Sequence, residues 1–146
     1  DNQELFMNME YKGEITGMTD ENMMEKVATE AQKKELGVKA KVIVTGTEDF
    51  FGPGLFHLLQ HIDKTGSIHA ASKAMGISYS KCWKLLNRAE EQAGFPFLHR
   101  QSGGLHGGNS VITEEGRKFM EHYEALLEEL KEMTQVAFRK HFWEYL

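Results

Sequence analysis

The sequence predicts a mainly α-helical fold with a small antiparallel sheet, and three observations predict it. Ile68–Met75 and Tyr79–Ala93 are runs of helical apolar spacing separated only by Gly76, Ile77 and Ser78. Phe97–Arg100 and Val111–Ile112 have strand character and enclose Ser102–Ser110, a stretch with four glycines in nine positions. Beyond them a helical pattern continues from Thr113 to Trp143. Two short helices about a glycine turn, then strand, loop and strand, then a long helix, describe a winged helix-turn-helix with a C-terminal dimerisation helix.

Each element has a local cause. Val38, Ala40, Val42 and Val44 alternate with Lys39 and Lys41, which predicts a half-buried strand able to join the wing strands as a third member. Pro53 opens a helix whose Leu55, Leu58, Leu59 and Ile62 face inward. Ser67 is placed to cap the next helix, with Ile68, Ala71 and Met75 as its apolar stripe and Ala70 and Ala71 allowing close approach. Gly76 ends it, because glycine takes a left-handed conformation without strain. Ile77 returns to the core and Ser78 caps the following helix. On that helix the spacing puts Tyr79, Trp83, Leu86 and Ala93 on one side and Lys81, Lys84 and Arg88 on the other. Gly94 and Pro96 stop it. Thr113 is placed to cap the long helix, with Glu114 and Glu115 at its positive end, although Gly116 stands where a capping box would need Glu or Gln.

The second helix of such a pair, with a basic outer face, is a means of placing side chains in a DNA major groove. The formal net charge is −5 over 146 residues, which suits a polyanion poorly until it is divided along the chain. Residues 1–36 carry nine acids against four lysines, and residues 119–146 six acids against three cations. The block His61–Lys118 reverses the sign, with eight cations, five acids and four histidines. Three segments follow: an acidic extension over 1–36, the winged helix over 37–118 and the C-terminal helix over 119–146. Within the extension, Asp20–Glu35 has the spacing of a helix, with Met24, Val27, Ala28 and Ala31 on one face.

These motifs, FFGPG, GSI–AA–AMGISY–W and GG–GG before V-I-T-E-x-G-R, resemble the N-terminal DNA-binding domain of the molybdate-responsive ModE family, itself related to LysR-type regulators. The resemblance covers Val38 to Leu146, and its specific motifs lie within Gly66–Arg117. It implies a winged helix that binds double-stranded DNA as a two-fold homodimer. By position it puts Ser78, Tyr79, Ser80, Lys81 and Lys84 on the recognition helix, and Arg100 and Ser102–Asn109 in the wing. The candidate DNA contacts are Ser67, Lys73, Ser78, Tyr79, Ser80, Lys81, Lys84 and Arg88, with Arg100, Gly103, Gly104 and His106 from the wing. The wing departs from the family pattern, for Leu105 and His106 stand where a lysine is usual between the glycine pairs. The resemblance does not extend to the family's molybdate-binding modules, so the expectation is a transcription regulator without them. The alternative is a protein-interaction module in molybdenum cofactor metabolism that reuses the fold without DNA.

Along the last helix Phe119, Tyr123, Leu126, Leu130, Met133 and Ala137 step by four and three, the seam of a coiled coil. A helix from Thr113 to Trp143 would be about 45 Å long at ~1.5 Å per residue, so part of the seam must meet another chain or the N-terminal helix. Phe138, Phe142, Trp143 and Tyr145 add aromatic surface. The seam residues are the candidate dimerisation set.

Other chemistry finds little support. The glycine segment lacks the Lys-Ser/Thr that follows a phosphate-binding P-loop. No serine–histidine–acid set, carboxylate pair or cofactor fingerprint stands out, so neither enzyme activity nor a cofactor is expected. His57 and His61 have metal-ligand spacing but no third ligand nearby in sequence, so no metal is assigned. One cysteine, Cys82, excludes an internal disulfide and is expected as a half-buried filler. With no membrane-spanning run, the expected location is the cytoplasm; operator and effector are not indicated.

Overall fold

Caps and glycine stops divide the chain into its elements. The structure, a computed structural model, describes residues 35–101 and 109–146, and for Arg100 and Gln101 the backbone alone. The elements are β1 (Val44–Thr45), β2 (Asp49–Phe51), α1 (Pro53–Thr65), α2 (Ile68–Met75), α3 (Tyr79–Ala93), β3 (Leu98–Gln101), β4 (Asn109–Ile112) and α4 (Glu114–Phe142), then a 3-10 turn at Trp143–Tyr145. The fold is mainly helical with small antiparallel sheets, as the sequence predicts. The expected extension over 1–36, with its helix, lies outside the described residues except for Glu35 and Leu36.

The helix-turn-helix is held by the expected local bonds. Ser67 Oγ accepts from the Ala70 N–H at 3.1 Å, and Ser78 Oγ from the Lys81 N–H at 3.0 Å. Gly76 has φ 65°, and the Ile77 N–H reaches back to the Ser72 carbonyl at 3.1 Å, closing α2. Thr113 does more than cap α4. Its Oγ1 accepts from the Gly116 N–H at 2.9 Å and donates to the Pro96 carbonyl at 2.6 Å, tying α4 to the segment before β3.

Two compact units divide the described chain, one of residues 41–128 and one that includes residues 35–40 and 129–146. The core of the first combines Leu55, Leu58, Leu59 and Ile62 of α1 with Ile68 and Ala71 of α2 and Cys82, Leu86 and Ala89 of α3. Phe51 is its aromatic hub, fully buried, with ring centroids 4.6 Å from Phe119, 4.9 Å from Tyr123 and 5.8 Å from Phe97. The two closest pairs are edge-on, an arrangement worth about 0.5–1.5 kcal/mol each beyond burial.

Several expectations are corrected. Residues 35–43 form no strand, and there are two separate two-stranded sheets, β1–β2 and β3–β4, instead of three strands together. One backbone group on each of these segments is engaged elsewhere. The Val42 carbonyl accepts from Tyr123 Oη at 2.9 Å, and the Ser110 N–H donates to the Gly66 carbonyl at 2.9 Å. Cys82 is fully buried, not half-buried, and burial pushes its thiol pKa up. The inward side of α3 centres on Cys82, Leu86 and Ala89, so Trp83 is only partly buried and Tyr79 is 40 % exposed.

The α4 seam also divides. Phe119 and Tyr123 turn into the domain core, claimed by the phenylalanines around them, whereas Leu126, Met133 and Val136 are exposed. Tyr123 is therefore buried in the core of this subunit, with Phe119 partly buried against it. Within the second unit Phe138 is buried and stacks on Phe142 at 4.9 Å, while Phe142, Trp143 and Tyr145 stay exposed.

Candidate nucleic-acid interface

The outer face of α3 is positioned by the burial of its inner face. With Cys82, Leu86 and Ala89 in the core, Lys81, Lys84, Asn87 and Arg88 must project outward. Lys81 and Lys84 are exposed, as is Lys73 on α2, and none of the three has a carboxylate within 4.0 Å among the described residues. Among those residues nothing neutralises their charges. Ser80 is exposed beside them at the start of α3. Ser67 and Ser78 each accept one cap bond on Oγ, and the hydroxyl proton of each is the group it could offer to a phosphate.

Arg88 is different. Its Nε lies 3.6 Å from Glu48 Oε2, an exposed pair between α3 and the β1–β2 turn. The same turn is fastened to α3 by Gln92, whose Oε1 accepts from the Thr47 N–H at 2.8 Å and whose Nε2 donates to Thr47 Oγ1 at 2.9 Å. The pattern of the sequence places Arg88 with the lysines; the fold partners it with an acid forty residues away.

The wing is anchored at its base. Leu98 pairs with Ile112 and Gln101 with Asn109, and the Ser110 N–H is tied to the Gly66 carbonyl at the α1–α2 turn. Nearby, Arg117 grips Asp63 with two hydrogen bonds, at 2.8 and 3.1 Å, and that contact holds the Asp63 carboxyl below the usual carboxylate range. Arg117 thus acts as a strut between α1 and α4, not as a free cation. The Arg100 side chain and Gly103, Gly104 and His106 lie outside the described residues.

Two side chains escaped the sequence reading. His69, exposed on α2, stacks on Tyr79 with ring centroids 4.1 Å apart and planes 3° apart. Glu48 is the other. No periodicity links either residue to its partner, because both contacts depend on how separate elements cross. His57 bonds Gln60 through Nδ1 at 3.1 Å, and among the described residues no group of three His, Cys, Asp or Glu side chains could hold a metal ion. Among those residues no helix is long and apolar enough to cross a membrane.

The family of bacterial regulatory helix-turn-helix proteins, lysR family, matches residues 54–117. The chain is similar to the DNA-binding transcriptional dual regulator ModE of Escherichia coli, at 34% identity over 77 residues, covering 53% of this chain and 29% of that protein. It is 35% identical over 69 residues to the molybdenum transport protein ModE of Azotobacter vinelandii, covering 47% of this chain and 26% of the other. It is 32% identical over 85 residues to the molybdenum-pterin-binding protein MopB of Rhodobacter capsulatus, covering 58% and 32%. A crystal structure of a LysR family transcriptional regulator shares 25% identity at a TM-score of 0.46, covering 60% of this chain and 28% of that one. The chain spans less than a third of the length of these curated relatives.

Proposed function

We propose that the protein, whose residues 54–117 match the lysR family of bacterial regulatory helix-turn-helix proteins and which is similar to ModE over about half of this chain, is a sequence-specific DNA-binding regulator of transcription. One observation carries the reading: Lys81 and Lys84 stand exposed, with no acidic partner among the described residues, on the outer face of a helix whose inner face is locked in the core. In this reading α3 enters the major groove, with Ser78, Tyr79 and Ser80 at the base edges and Lys81 and Lys84 on phosphates. Ser67 at the start of α2 and Lys73 in its last turn meet the backbone alongside, with Arg100, Gly103, Gly104 and His106 as the wing's share.

The protein acts as a homodimer. The exposed Leu126 and Met133, with Leu130 and Ala137 on the same seam, supply the contact, and Val136 widens it. Two-fold symmetry would set the recognition helices about 34 Å apart, in successive major grooves. The site of action is the cytoplasm, and the role is that of a binding protein, not of a catalyst.

The test is a labelled duplex titrated with protein from about 50 to 200 mM salt, where three lysine–phosphate contacts per subunit give a logarithmic slope of about −3 per subunit. A flat slope overturns the proposal in favour of the protein-interaction module in molybdenum cofactor metabolism.

A further inference from the structure

Tyr79 is the first residue of α3, directly after its Ser78 cap. Its phenol ring is sandwiched in orientation by two others. His69, from the neighbouring helix, lies parallel to it at 4.1 Å, and Trp83, one turn along α3, meets it edge-on at 6.0 Å and 86°. Both His69 and Tyr79 are nevertheless exposed. An exposed stack adds little to the core, so its main effect is to hold the plane of the phenol.

We propose that His69 is a positioning residue for sequence readout, holding the Tyr79 ring in the orientation in which it meets a base edge. The proposal rests on the DNA-binding reading of this domain. The leading residues of a recognition helix are those that reach base edges. A phenol there offers an apolar rim to a thymine methyl and a hydroxyl to a donor or acceptor. A side chain ordered only on binding loses affinity to its own immobilisation, whereas a ring already stacked has met that cost in folding. The two functions of the face are then divided. Lys81 and Lys84 hold phosphates whatever the sequence, and the His69–Tyr79 stack discriminates among sequences.

The helix crossing that makes the stack is set elsewhere. Ala71 and Cys82 are fully buried and Gly76 closes the turn between them, so removing the exposed imidazole leaves the angle of α2 to α3 in place. Ser72 Oγ donates to the His69 carbonyl at 2.8 Å, a bond to the backbone that any residue at 69 would keep.

The experiment begins with selection of a preferred duplex from a random-sequence library by the full chain. Affinities for the selected duplex and a scrambled duplex of equal composition then follow, each across a salt series. His69→Ala is expected to lower the ratio of the two affinities about three- to tenfold, the worth of one aromatic pair. The salt slope stays unchanged and the thermal midpoint stays near that of the parent. His69→Phe restores the stack and returns the ratio to within about twofold of the parent, while His69→Ala added to Tyr79→Ala has no further effect.

A direct phosphate contact by His69 gives a different result: a shallower slope in both His69 variants, with affinity lost for both duplexes alike. That outcome, an unchanged ratio in His69→Ala, or additive effects in the double variant would each overturn the proposal while leaving the DNA-binding reading intact. Failure of the parent protein to enrich any sequence removes the reading itself and the proposal with it.

Discussion

Lys84→Gln isolates the charge on which the proposed interface depends. Lys84 is exposed and has no carboxylate within 4.0 Å among the described residues, so its neutralisation removes no ion pair among them. Stability should stay within about 0.5 kcal/mol of the parent, the range of surface substitutions away from special features. Binding should change in a defined way. One phosphate contact contributes about 0.9 to the logarithmic salt slope. Over a fourfold rise in salt, from about 50 to 200 mM, it therefore accounts for a loss of about 3.5-fold in affinity. A two-fold dimer has two such contacts, so the parent should lose about 12-fold more affinity than Lys84→Gln over that range. Fluorescence anisotropy with a labelled duplex measures both slopes. An unchanged slope would mean that Lys84 faces no phosphate, and the docking of α3 proposed above would be wrong.

Four further outcomes follow from named contacts. Glu48→Gln should release Arg88 at a cost of at most about 1 kcal/mol, since the pair is exposed; the freed cation should steepen the salt slope by about 0.9 per subunit, and an unaltered slope would place Arg88 away from DNA. Gly116→Ala would put a Cβ 2.9 Å from Thr113 Oγ1 and 3.1 Å from the Phe97 carbonyl oxygen. Overpacking of about 1–3 kcal/mol should then outweigh the helix propensity gained, and urea denaturation at or above parental stability would refute the packing argument. Tyr123→Phe should cost about 0.5–1.5 kcal/mol by deleting the bond to the Val42 carbonyl. Burial pushes the Tyr123 phenol up to about 12, so its contribution is complete below an unfolded value of about 10 and is lost as pH rises from there through 12; the parent's advantage over the variant should shrink across that window. Met133→Glu, at a position 60% exposed, should yield a folded monomer by sedimentation, and an intact dimer would exclude the α4 seam as its interface.

What the sequence made legible is what neighbours in the chain decide. The Ser67, Ser78 and Thr113 caps and the Gly76 stop form as expected because each bonds within a few residues of itself. Lys81 and Lys84 face outward because helical spacing alone sets their side. The misjudged features depend on distant partners. Alternation at Val38–Val44 is a true pattern, yet the Val42 carbonyl is taken by Tyr123, 81 positions away. The heptad steps of α4 are also real, but Phe51 and Phe56 draw Tyr123 inward, at ring distances of 4.9 and 5.1 Å, so the regular seam serves two purposes along its length. Gly116 looked like a flawed capping box; it is glycine because the Phe97 backbone passes too close for a Cβ. Its place after Thr113 was visible, but the approach of Phe97 was not.

The bond from the Ser110 N–H to the Gly66 carbonyl joins two features at one residue. Gly66 ends α1 with φ 72°, a conformation that favours glycine, and its carbonyl holds the start of β4. A side chain at this position would therefore strain the end of the first helix and the root of the hairpin together.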